Sequence, residues 1–140
     1  MGKLLMINDQ DYPHKHIKSV FTSWKVVHYP TCDYIFLTNQ SMKFYDVVII
    51  RQNELDGAIY QFVSTYSKQF PESKIVFLAS HFSVLSSSIA PFFTAMICVP
   101  VSLMVLKMIV FSITCLDRSS VQTPLLFNPY GDYAKEMISE

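Results

Sequence analysis

The sequence predicts an α/β fold: a five-stranded parallel sheet with helices on both faces, arranged as a three-layer sandwich. One observation is the run Phe44-Tyr45-Asp46-Val47-Val48-Ile49-Ile50-Arg51. Its four consecutive β-branched aliphatics are too few for a helix and are bounded by polar residues, which suits a strand covered on both faces. A second observation is that similar apolar runs recur at residues 3–7, 25–29, 74–79 and 95–99. A third is that helix-period segments separate them, so strand and helix alternate through the chain, the pattern of a parallel sheet with right-handed crossovers.

Taken in order, Lys3-Leu4-Leu5-Met6-Ile7 is the first strand, closed by the polar group Asn8-Asp9-Gln10-Asp11. Asp11 caps a first helix with Pro13 in its first turn, and Ile17, Val20, Phe21 and Trp24 recur at i, i+3, i+4 and i+7 on one helical face. Lys25-Val26-Val27-His28-Tyr29 is the second strand, and a weaker helix opens at Pro30-Thr31 and runs through Tyr34, Ile35 and Leu37. After the central strand, a helix starts near Asp56-Gly57 with the inward stripe Ile59, Phe62, Val63 and Tyr66, and Pro71-Glu72-Ser73 turns the chain. Lys74 to Ala79 is the fourth strand. Ser83 to Ala90 is a Ser-rich helix of poor intrinsic propensity, Ala95 to Val99 the fifth strand, and Ser102 to about Leu116 the last helix. Residues 117–140 lack a sustained apolar period and carry Pro124 and Pro129, which predicts a compact domain over residues 1–116 and a linker or tail over 117–140 that leads to an effector domain.

Composition narrows the function. Hydrophobic residues make up 51% and charged residues 16%, and 11 basic residues balance 11 acidic ones, so no net charge draws the chain to nucleic acid. Cys32, Cys98 and Cys115 are odd in number and widely spaced, which suits a reducing compartment and hence the cytosol. The apolar run after Lys3 is too short for a signal peptide. Between Ile89 and Leu116 the only charged residue is Lys107, a length that passes a hydropathy screen for a membrane span. Pro91 and Pro100 interrupt it, and a buried strand followed by an apolar helix has the same hydropathy, so the expectation is no membrane span. His14 and His16 point apart on a helix and have no acidic or thiol partner at ligand spacing, so no metal site is expected there. With glycine only at positions 2, 57 and 131 there is no glycine-rich phosphate loop, and no nucleophile-base constellation assembles; the expectation is no enzyme and no cofactor.

The order of elements, the turn Asn8-Asp9 after the first strand, the Tyr45-to-Ile50 lead-in, Asp56-Gly57 and Val99-Pro100 together resemble the flavodoxin-like receiver domain of two-component response regulators over residues 3 to about 116. The resemblance implies acids after the first strand and an aspartate ending the third that hold Mg²⁺, a hydroxyl after the fourth strand and a lysine after the fifth. This sequence departs at nearly each position: Asn8 beside the single acid Asp9, Arg51 in place of the phosphoacceptor, Ala79 next to Ser80 at the hydroxyl position, and Val99 at the lysine position. A guanidinium cannot act as a carboxylate nucleophile. The implied protein is a degenerate pseudo-receiver that holds no metal and takes no phosphoryl group, with Met96 where the family carries its aromatic switch.

Three roles for Arg51 stand open: pairing with Asp9 in place of the missing metal, reaching to solvent, or receiving an anionic small molecule as the centre of a sensor pocket. The last helix is apolar over more than one face, so one stripe is expected on the sheet and another at a homodimer or partner surface, assigned to Met96, Leu103, Leu106, Lys107, Ile109 and Val110. The alternative cover for that helix is the tail through Leu125, Leu126 and Phe127. The function expected is that of a phosphorylation-independent, dimerising protein-interaction module of a signalling or transcription regulator.

Overall fold

The structure, a computed structural model, describes residues 2–8, 14–29, 43–51, 57–79, 89–98, 101–115 and 125–127. Six strands form a parallel sheet among them: β1 Lys3–Asn8, β2 Lys25–Tyr29, β3 Val47–Arg51, β4 Lys74–Ala79, β5 Ala95–Cys98 and β6 Leu125–Phe127, in the order β2-β1-β3-β4-β5-β6. Three α-helices accompany them: α1 His14–Val20, α2 Gly57–Gln69 and α3 Leu103–Thr114. Among the described residues a 3-10 turn, Ala90–Phe92, precedes β5.

The parallel α/β architecture stands as the sequence predicts, with one correction. Leu125, Leu126 and Phe127, expected within a linker, form a sixth strand in register with Ala95, Met96 and Ile97. They add to the sheet's edge rather than covering the last helix. The helices expected over Tyr34 to Leu37 and from Ser83 lie outside the described residues.

Strand alternation sorts the core into two halves. Leu5, Ile7, Val48, Ile50, Ile75, Phe77 and Met96 face α2, where Ile59, Phe62, Val63 and Tyr66 supply the i, i+3, i+4, i+7 stripe. Leu4, Met6, Val47, Ile49, Val76, Leu78, Ala95 and Ile97 face the opposite layer, built from Ile17 and Phe21 at α1 and Leu106, Ile109, Val110 and Ile113 on α3. Each fully buried aliphatic side chain contributes about 1.5–3 kcal/mol, so these stripes and not helix propensity dock the helices. Phe21 and Trp24 follow α1 in a turn and join Phe111 of α3 in an aromatic trio with ring centroids 5.7–6.0 Å apart. Gly2 lies against the Trp24 indole so closely that a Cβ there would stand 2.4 Å from its ring.

Hydrogen bonds tie the strands together along their amino edge. Lys25 N–H donates to Gly2 O; Lys3 N–H donates to Asp46 Oδ2 at 2.8 Å, and Asp46 N–H returns to Lys3 O. Ser73 Oγ donates to Tyr45 O at 2.7 Å, Thr94 N–H to Ile75 O, and Leu125 N–H to Thr94 O. Tyr66, wholly buried on α2, accepts from Tyr45 N–H at 2.8 Å and donates to Lys43 O at 3.0 Å.

Candidate functional site at the carboxyl edge of the sheet

From β1 the chain steps to one side to reach β2, whereas β3, β4 and β5 lie on the other side. The strand order therefore reverses between β1 and β3, and crevices at such a point, at the carboxyl ends of the strands, are where open α/β sheets bind ligands. Asn8 ends β1 and Arg51 ends β3, and the two are register partners; Leu78 is the next partner across, and Ala79 pairs with Cys98 one residue further along. The sheet thus brings Asn8, Arg51 and Ala79 to one edge. Asp9, Ser80 and Val99 lie outside the described residues.

The chemistry of this edge follows from its residue types. Arg51 is half-buried, falls by alternation on the α1 and α3 side, and has its Nε shielded from solvent. A guanidinium is a fixed planar donor that stays charged and accepts no hydrogen bond, so at the end of β3 it can hold an anion or a carboxylate but cannot be acylated or phosphorylated as an aspartate is. Ala79 is fully buried and offers a methyl group where the family resemblance calls for a hydroxyl. Cys98, also buried, has its thiol pKa pushed up by burial, which keeps it protonated and inert as a nucleophile. Among the described residues no group of three His, Cys, Asp or Glu side chains is placed to hold a metal ion. A cavity of about 380 Å³, lined by Gly2, Trp24, Asp46 and Phe111 among others, lies at the amino edge, four strand residues or roughly 13 Å from the end of β3.

The surface expected on the last helix needs correcting. Leu106 and Val110 are fully buried and Ile109 is nearly so, because they form the stripe that docks α3 on the sheet; Met96 is buried inside the sheet. Leu103 is half-buried, and Lys107 lies with its Nζ 5.6 Å from the Phe111 ring centroid. The outward stripe is instead Met104, Val105, Met108 and Phe111, which are 60%, 43%, 65% and 40% exposed. A signal for it was present in the sequence: Met104, Met108, Phe111 and Cys115 repeat at intervals of four, three and four, the seam spacing of paired helices, while the aliphatic stripe holds the other side. Ser102 starts the helix as its N-cap, accepting from Val105 N–H at 3.1 Å.

No family model matches the sequence, and no curated protein does. Solved structures do match. The response regulator TrrA from Thermotoga maritima, in complex with Mg²⁺-BeF, aligns with a TM-score of 0.63 at 16% identity over 81% of this chain and 99% of its own. The chemotaxis response regulator CheY4 of Vibrio cholerae gives 0.65 at 16% identity over 81% and 98%. A putative pilus assembly protein (cpaE) from Burkholderia thailandensis gives 0.64 at 12% identity over 83% and 100%. The chain therefore has the flavodoxin-like, CheY-type fold of receiver domains, with a sixth strand at its edge. Among the described residues no helix is long and apolar enough to cross a membrane.

Proposed function

We propose that this chain is a phosphorylation-independent pseudo-receiver of the cytosol, a regulatory module of a signalling or transcription regulator that works by binding protein, including a second copy of itself. The observation that carries the reading is Arg51 at the end of β3, paired in register with Asn8 at the point where strand order reverses. At that position phosphoryl transfer requires a carboxylate nucleophile beside a metal, and a guanidinium supplies neither nucleophile nor ligand. The cpaE relative has the same fold in a protein named for pilus assembly, so the fold is not confined to proteins named as response regulators.

Incubation with acetyl phosphate and Mg²⁺ is expected to leave the intact mass unchanged, and beryllofluoride to leave the melting temperature unchanged; a covalent phosphoryl adduct overturns the reading. The interaction surface is the outward stripe of α3, whose Met104 and Met108 are adaptable apolar contacts. Light scattering is expected to show a dimer that Met108→Asp weakens by about tenfold in Kd or more, the scale of losing one well-packed anchor. A monomer at all concentrations removes that surface. The rival reading, a sensor of anionic small molecules, is favoured by the half-buried Arg51 guanidinium at the switch point. A rise in melting temperature with an anionic metabolite, lost in Arg51→Ala, would replace the pseudo-receiver reading with it.

A further inference from the structure

We infer that β6 is an exchangeable strand: Leu125–Phe127 of one copy pairs with the β5 edge, Ala95–Cys98, of a second copy. The argument begins with the hand of the crossovers. The step from β1 to β2 goes toward one side of the sheet and the step from β5 to β6 toward the other, yet α1 and α3, which make these two connections, pack on the same face. The two crossovers therefore have opposite hands. The step from β3 to β4 also runs opposite to that from β1 to β2, but α2 lies on the other face, so those two connections share one hand. About 98% of parallel crossovers are right-handed, which makes β5-α3-β6 the left-handed one.

That connection holds the weakest strand. β6 is three residues long, sits at the edge, and leaves Leu125 39% exposed. The β5 edge that it covers is the wholly apolar run Ala95-Met96-Ile97-Cys98, a template that calls for some strand to cap it. Pairing with a neighbour's β6 keeps the same parallel register and the same contacts, and no left-handed crossover is then needed within one chain. Nine residues, Leu116 to Pro124, separate Cys115 from Leu125. Fully extended they reach about 30 Å, far enough to cross to an adjoining copy. Identical contacts in the closed and exchanged forms leave protein concentration and the crossover to decide between them, the condition under which strands swap. This contact is separate from the outward stripe of α3, so either can fail without the other.

Two single-cysteine chains, Ala95→Cys and Leu125→Cys, test it in a background with Cys32, Cys98 and Cys115 replaced. Register partners on neighbouring strands lie about 4.8 Å apart, within disulfide reach. Refolded together at high concentration and oxidised, they are expected to give a mixed disulfide dimer in excess over either homodimer. The double variant on one chain, refolded dilute, is expected to close internally. A closed double variant with no mixed dimer overturns the exchange, and a double variant that fails to close removes its basis. As a check without cysteine changes, native chain carrying Met108→Asp is expected to retain a concentration-dependent dimer that Leu126→Asp abolishes. A monomer for Met108→Asp at every concentration also overturns it.

Discussion

Along the amino edge of the sheet hydrogen bonds pass from strand to strand between β2 and β6, whereas the carboxyl edge presents an unlike row: the Arg51 guanidinium, the Ala79 methyl and the Cys98 thiol. At the amino edge several buried polar groups answer a neighbour. Tyr66 satisfies one buried N–H and donates to one carbonyl, and Ser73 satisfies the Tyr45 carbonyl. Leaving such a group without its partner costs about 1–3 kcal/mol. The difference between the edges explains how a fold can keep its architecture while the residues at the end of β3 and β4 change type. The amino edge and the two apolar layers hold the sheet, so residue types at the carboxyl edge can vary without loss of the fold.

Removing Tyr66 tests that division hardest. The side chain is fully buried, packs at 5.3 Å from Phe62 and 5.0 Å from Phe70, and carries two hydrogen bonds. Tyr66→Ala is expected to cost about 3–5 kcal/mol in urea unfolding, a large fraction of the roughly 5–15 kcal/mol that holds a typical domain. Tyr66→Phe keeps the ring and is expected to cost about 1–3 kcal/mol. A Phe variant as stable as the wild type would mean that the Tyr66 hydroxyl and its two hydrogen bonds contribute nothing to holding this edge.

A smaller effect is expected in alkali. Burial, with the Tyr29 ring beside it, pushes the Tyr45 phenol up from 10.0 to about 12, and burial raises Tyr66 as well. Both folded pKa values lie above the unfolded one, so the stability that these phenols contribute is fully present below pH about 10 and is lost as pH rises toward about 12. Melting temperature should therefore fall across that window, and Tyr45→Phe should make the fall shallower. The same slope in the variant would assign the alkaline loss to other groups.

The sheet was legible because its signals are local. Val47 to Ile50 and Ile75 to Ala79 are apolar in every residue, and α2 shows its stripe at Ile59, Phe62, Val63 and Tyr66 without help from tertiary structure. β6 was not legible, because Leu125-Leu126-Phe127 follows Pro124 and is too short to carry a period, and its strand state comes from the β5 edge beside it. The inward side of α3 was misassigned for another reason. Leu103 to Ile113 is apolar nearly all round, so hydropathy cannot say which stripe meets the sheet; only packing against the surface built from β1, β3, β4 and β5 decides it. At the candidate site the placement of Asn8, Arg51 and Ala79 could be read because a polar or small residue follows each apolar run, Leu4 to Ile7, Val47 to Ile50 and Ile75 to Leu78.

Arg51→Ala should give the smallest effect and bears most directly on the contrast between the edges. If the amino edge and the apolar layers hold the fold, truncating a half-buried side chain at the opposite end changes the unfolding free energy by within about 1 kcal/mol. The denaturant slope should stay as in the wild type, since the surface exposed on unfolding is nearly the same. A loss rivalling that of Tyr66→Phe would place Arg51 among the groups that hold the sheet, and the contrast between the two edges would then fail at the end of β3.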